Sequence, residues 1–305
     1  MRIASLVSAG TEICFALGLG RDVVGVSHEC DFPPEVAVLP RLTSSLVDPS
    51  ISSREIDAAV TGVIARGGGN ADLYHVDADT LARVRPDVLV TQRLCEVCAI
   101  SVGAVERALA REHSIRVVTM TGGDLEGVWA DIRLIGEACG AERAADDLLR
   151  ALEARHVAVR RAVDGRARPT VGCLEWLDPP FDAGHWVPEQ IAAAGGVDLL
   201  ARPRHDSRRR TWDEIRAADP DVLLLMPCGF GIERAAREAH AVRRELASLR
   251  AAREGRAWIV DGNAYFSRPG PRLVDGIELV AALLHPGSVA LPVGGSLPLA
   301  LDMLA

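Results

Sequence analysis

Residues 123–163 read GDLEGVWADIRLIGEACGAERAADDLLRALEARHVAVRRAV. Val128, Ile132 and Ile135, then Leu148, Leu149 and Leu152, recur at the three- and four-residue spacing of a helix face, and nothing in the stretch alternates as a strand would. Gly136 and Gly140 are its interior weak points. The spacing predicts a long helix with a break near Gly140, about 50 Å or more in length at ~1.5 Å per residue. It belongs to neither flank, so it divides the chain.

On both sides of it, short apolar runs alternate with helical stretches. Before it stand RIASLV, VVGVS, DVLVTQ and IRVVTM; after it come TVGCLEW, DVLLLM and AWIVDG. Strands that are apolar throughout and separated by helices form parallel sheets covered on both faces. The expected fold is therefore α/β: two three-layer α/β/α lobes with central, mostly parallel sheets, joined by one long α-helix. The expected boundaries are 1–122 for the first lobe, 123–163 for the linking helix, 164–285 for the second lobe and 286–305 for a C-terminal tail.

The halves echo each other. DADTLARVRPDVLVTQRLC (Asp77 to Cys95) and TWDEIRAADPDVLLLMPC (Thr211 to Cys228) share a Pro-Asp-Val-Leu core. Pro86 recurs as Pro220 and Asp79 as Asp213, each 134 positions later. In each copy a short helix ends before the proline and a buried strand follows. One repeat at that separation means two similar lobes, not a solenoid. The first lobe also carries an insertion with a helix opened by a Ser52/Glu55 capping box, faced by Ile56, Val60 and Ile64, and closed at Gly67.

The 305 residues carry a net charge of −8, which leaves no basic footprint for nucleic acid. No run is long and apolar enough to span a membrane. Glu12 interrupts the only candidate apolar segment near the start, so the opening residues predict a cytoplasmic protein. Seven cysteines, an odd number, argue against a disulfide framework in such a compartment. Arg202 to Arg210 reads as a solvated loop. No P-loop, nucleophile triad or H-E-x-x-H occurs, so hydrolase and kinase readings have no support.

The opening SLVSAGTEICFALGLGRDVVGVSHECDFPPE, the repeated Pro-Asp-Val-Leu strands and YFSRPGPRLVDGIELVAALL near the end occur in a specific order. With the two-lobe plan, they resemble the substrate-binding proteins of cobalamin and iron-siderophore ABC transporters, the class III periplasmic-binding-protein fold, over nearly the whole chain. The resemblance implies a stiff, helix-hinged clamp that binds one bulky ligand between its lobes and does no chemistry on it. The implied ligand is cobalamin, a related corrinoid or another metal chelate, and the implied partner an ABC permease. In that family the places of Asp79 and Asp213 resemble glutamates that dock onto permease arginines, one per lobe. Here both are aspartates, and capping of nearby helix starts is their plainer role.

In open α/β sheets the ligand crevice lies outside the carboxyl ends of the strands. That rule selects Ser8, Ala9, Gly10 and Thr11, then His28 and Glu29, then Gln92 in the first lobe. In the second it selects Glu175, Trp176, His185, Trp186, Phe230, Tyr265, Phe266 and Arg268. The bland alternatives are helix caps for Ser8 and Thr11, core positions for Trp186 and Phe181, and a salt bridge for Arg268. Flat aromatic side chains suit an apolar macrocycle at small entropic cost. Cobalamin-binding relatives tend to place aromatics where this chain has Glu29 and Gln92, which implies a different corrinoid or a more polar chelate.

Cys30, Cys95, Cys98 and Cys228 all lie just past predicted strand ends, and Cys95 and Cys98 form a C-x-x-C. Cys14, Cys139 and Cys173 read as core. A structural zinc site would want paired C-x-x-C elements, and only one is present. Three readings stay open for the four thiols: small packing residues, a thiol-bound metal or ligand contact shared with His28 or His185, and a redox pair at Cys95 and Cys98.

Overall fold

The structure is a computed structural model and describes residues 1–67, 73–94, 102–109, 115–292 and 298–301. The chain divides into two compact units, residues 1–51 with 55–151, and residues 52–54 with 152–305.

The first unit runs β1 (Ile3–Ser5), α1 (Ser8–Ala16), β2 (Val23–Gly25), β3 (Thr43–Ser45), α2 (Ser53–Gly67), β4 (Tyr74–Val76), α3 (Ala78–Val84), β5 (Val88–Gln92), α4 (Val102–Leu109), β6 (Arg116–Met120) and α5 (Leu125–Ala138). Its sheet has the order β2-β1-β5-β6 and every pairing is parallel. Ile3, Ala4, Leu89 and Val90 are fully buried, as strands covered on both faces require. β3 and β4 make a separate antiparallel ribbon.

The second unit follows α6 (Glu142–Val163) with β7 (Thr170–Leu177), β8 (Pro180–Asp182), α7 (Val187–Ala193), β9 (Val197–Asp198), α8 (Trp212–Ala218), β10 (Val222–Leu225), α9 (Ile232–Ala241), α10 (Arg243–Ala247), α11 (Arg250–Arg253), β11 (Ala257–Ile259), α12 (Gly262–Tyr265), α13 (Leu273–Leu284) and β12 (Leu299–Ala300). β7, β10 and β11 are parallel neighbours, with β8 and β12 antiparallel at the two edges. Residues expected to form only a tail thus supply an edge strand.

The helical stretch that divides the chain breaks where expected. α5 ends at Cys139, Gly140 takes φ +66°, and Ala141 N–H returns to the Gly136 carbonyl at 2.7 Å. That is the closing bond of a helix stop, and glycine enters the left-handed region without a Cβ penalty. The uninterrupted linking helix is α6, 22 residues and so about 33 Å long, shorter than the unbroken stretch would be.

The Pro-Asp-Val-Leu repeats become the central strands β5 and β10. In both copies the residue before proline closes its helix in the left-handed region, Arg85 at φ 42° and Asp219 at φ 44°. In both, the aspartate after proline accepts from the backbone N–H at the start of the neighbouring strand: Arg2 to Asp87 at 2.7 Å, Thr170 to Asp221 at 2.9 Å.

The arginine-rich loop is not simply solvated. Asp182, fully buried, accepts from Arg208 Nη2 at 3.1 Å and Arg210 Nε at 2.8 Å, and Arg209 lies 5.3 Å from the Phe181 ring centre. A buried carboxylate requires such partners, so two arginines of the loop face inward.

Candidate functional site

Parallel strands place their carboxyl ends on one side of each sheet, and each unit has such a face. In the first unit, β1 leads directly into α1, whose N-cap, Val7, offers no side-chain acceptor. Ser8, Ala9, Gly10 and Thr11 form the first turn and all are buried. Thr11 Oγ1 donates to the Val7 carbonyl at 3.3 Å and sits 3.2 Å from Cys30 Sγ, whereas Ser8 Oγ is buried with no hydrogen-bond partner. Gly10 is a packing requirement, since a Cβ there would stand 2.6 Å from Val90 Cγ1.

After β2, a network holds the turn of residues 27–30. Thr43 Oγ1 donates to Ser27 Oγ at 3.1 Å and accepts from His28 N–H at 3.0 Å. It also lies 2.7 Å from His28 Nδ1. With the hydroxyl hydrogen given to Ser27, Nδ1 carries the ring proton and Nε2 keeps its lone pair. Arg41 Nη1 clasps the carbonyls of Ser27 at 3.1 Å and Cys30 at 2.8 Å. Burial, then the Arg41 charge, pushes the His28 pKa down, so the imidazole is held neutral. Tyr74 from β4 stands 5.7 Å from the His28 ring. Glu29 is exposed and Gln92 half-buried. Cys95 and Cys98 lie outside the described residues.

At the end of β6, Asp131 accepts from Thr121 N–H at 3.1 Å and from Gly122 N–H at 2.8 Å. Asp131 was not singled out in the sequence, where its place within the apolar stretch Val128–Ile132 is the one sign of an inward carboxylate, and burial raises its pKa.

In the second unit, Glu175 and Trp176 end β7 half-buried, and the Cys228 N–H donates to the Glu175 carbonyl at 2.8 Å. Trp176 packs 5.1 Å from Phe230, and the Arg234 guanidinium lies 3.9 Å over the Phe230 ring. Aromatic pair and cation together make a platform at the carboxyl ends of two adjacent central strands. Arg234, one helical turn after Phe230, was not singled out in the sequence; an i, i+4 aromatic–arginine pair was its only signal.

The other predicted aromatics serve the core. Trp186, Tyr265 and Phe266 are 3–4% exposed, and Trp186 Nε1 donates to the Phe266 carbonyl at 2.8 Å. Arg268 is buried too, with Nη2 donating to Asn263 Oδ1 at 2.8 Å. His185 is half-buried with φ 54°, its Nε2 3.7 Å from Asp206, and burial pushes its pKa down against the opposing pull of that carboxylate. A non-glycine residue in the left-handed region costs about 1 kcal/mol or more and marks functional segments disproportionately.

Asp79 and Asp213 occupy matching second positions of α3 and α8 and are exposed. Neither caps its helix: Asp77 accepts from Thr80 N–H, and Thr211 forms a full capping box with Glu214. Among the described residues the thiols do not assemble. Cys30 is buried against Thr11, Cys228 is half-exposed in the other unit, and no group of three His, Cys, Asp or Glu side chains is placed to hold a metal. Burial pushes the pKa values of Cys14, Cys139 and Cys173 up, which makes those thiols inert.

A family model described as "Periplasmic binding protein" matches residues 3–264. Vitamin B12-binding protein of Vibrio cholerae is 22% identical over 295 residues, covering 93% of this chain and 88% of that one. Two solved structures share the fold. The periplasmic heme-binding protein RhuT of Roseiflexus sp. RS-1 has a TM-score of 0.70 and 23% identity, covering 94% of this chain and 98% of that chain. The periplasmic vitamin B12-binding protein BtuF of Vibrio cholerae has a TM-score of 0.65 and 19% identity, covering 93% and 96%. These matches overturn the cytoplasmic placement read from the opening residues, because the family and its solved members are periplasmic proteins. The opening residues are β1 and α1 of the core, so their pattern reports on folding and not on compartment.

Proposed function

The chain belongs to the periplasmic binding protein family, and from that membership we propose that it binds a bulky tetrapyrrole-type chelate, a corrinoid or a heme, and performs no chemistry on it. The observation that carries this reading is the half-buried Trp176 packed at a tilt against Phe230 at the carboxyl ends of β7 and β10. A broad apolar ring system gains from such a surface, at roughly 25 cal/mol per Å² of apolar area removed from water. Asp79 and Asp213, exposed at matching helix positions, are the pair through which an ABC permease would be engaged.

The test is titration with hydroxocobalamin and with hemin, followed by visible spectra and Trp fluorescence. Saturable micromolar binding of one of them, weakened about tenfold or more by Trp176→Ala, is expected. No binding of either compound at micromolar concentrations sinks the reading.

A further inference from the structure

A wide, open depression of about 640 Å³ lies on the second unit at the amino ends of β7, β10 and β11, the end of the sheet opposite the aromatic platform, with Arg166, Arg168 and Arg256 exposed around it. Arg166 and Arg168 reach it from the link between α6 and β7, Arg256 from the residue before β11, and His285 from the end of α13. Pro169 and Leu284 give it apolar walls.

Three guanidinium groups on two separate connections share this depression, and none has a carboxylate partner among the described residues. Elsewhere in the unit Arg155, Arg208, Arg210, Arg216 and Arg250 are each held by a carboxylate, so the cluster of three around one depression is uncompensated where these are not. The cluster also stands apart in a chain whose net charge is −8. Arg166 Nε donates to the Ala162 carbonyl at 3.0 Å and Arg168 Nη2 to the Gly196 carbonyl at 2.8 Å. Each commits one N–H to anchoring the side chain and keeps the others, so the groups are partly ordered before anything binds.

Opposing charge is present and is smaller. Asp221 lines the depression, but Thr170 N–H and Oγ1 and Arg250 occupy its oxygens. The carboxyl ends of α6 and α13 add partial negative charge, about half a unit each. Three full positive charges exceed that sum.

We propose that this depression is an oxyanion site that takes a phosphate or polyphosphate group, separate from the chelate-binding face. Guanidinium forks match two oxygens of one phosphate at once, and three of them fit a multiply charged anion better than chloride or a single carboxylate.

Isothermal titration with inorganic pyrophosphate at fixed ionic strength tests it. Saturable one-to-one binding is expected, weakened about tenfold by Arg168→Gln or by Arg256→Gln, each removing charge-assisted hydrogen bonds. Arg216→Gln, which removes an ion-paired arginine outside the depression, should change nothing. Absence of saturable binding at millimolar pyrophosphate overturns the proposal, as does an equal loss in Arg216→Gln. A rise in the unfolding midpoint of the unaltered protein with pyrophosphate, but not with sodium chloride of equal ionic strength, gives a readout independent of how the variants fold. A midpoint unmoved by pyrophosphate counts against the site in the same way.

Discussion

The corner Arg85-Pro86-Asp87 of the first unit and the corner Asp219-Pro220-Asp221 of the second are built alike. Each ends a helix in the left-handed region, turns at proline, ties the next aspartate to the neighbouring strand's first N–H, and launches a central strand. At the other end of those strands the likeness stops. The second unit presents Trp176, Phe230 and Arg234, whereas the first presents a small polar turn wired by Thr43 and Arg41. The amino ends of the strands carry the shared architecture, and the carboxyl ends carry what distinguishes the units.

The strongest way to break the comparison is at the strands themselves. Leu89 and Leu223 hold the same place in the repeat and are both fully buried. Leu89→Ala and Leu223→Ala should each cost about 2–5 kcal/mol in denaturant unfolding, from lost burial plus the cavity left behind. A cost below 1 kcal/mol for either one would mean the strands are not equivalent.

The aspartates come next. Asp87→Ala removes the acceptor of one strand-start N–H, for which about 1–2 kcal/mol is expected. Asp221→Ala should cost more, because Thr170 N–H, Thr170 Oγ1 and Arg250 all donate to it. Equal midpoints for the two variants would refute that ordering.

A smaller effect is expected at the left-handed residues. Arg85→Gly relieves the Cβ penalty and should stabilise by about 0.5 kcal/mol after the added freedom of the unfolded chain is counted. Asp219→Gly should gain less, since it also removes the contact with Arg250 Nε at 3.0 Å. Thermal midpoints of the pair decide it.

The smallest effect is in pH. His28 and His185 have native pKa values below the ordinary 6.5, so the unfolded chain protonates first as the pH falls. Stability is therefore whole above about 6.5 and declines on acidification from there. His28→Gln should flatten that decline more than His185→Gln, because Arg41 adds to burial at His28 while Asp206 opposes it at His185. Asp131 and Asp275, with raised pKa values, act in the opposite sense nearer the carboxylate range.

Much of the fold is legible in the sequence. The apolar runs mark β1, β2, β5, β6, β7, β10 and β11, and α2 spans Ser53–Gly67 as its start and stop signals require. β3, β4, β8, β9 and β12 were not legible, since none of them sits in a continuous apolar run. The site was less readable. Strand-end position selected Trp176 and Phe230, which pair at the ends of β7 and β10, and equally selected Trp186, Tyr265 and Phe266, which the second unit buries deeply as core. It also passed over Thr43, Arg41 and Arg234, which act on the strand-end residues from other elements.

What the chain alone determined is its alternation of strands and helices, the duplicated Pro-Asp-Val-Leu corner and the stop at Gly140, because these rest on local periodicity and on backbone angles that few residues tolerate. Which aromatic faces outward, which aspartate merely follows a cap, and which arginines find carboxylates were decided only by tertiary structure. Burial and ion pairing depend on what the rest of the chain brings alongside, and neighbours in sequence do not carry that information.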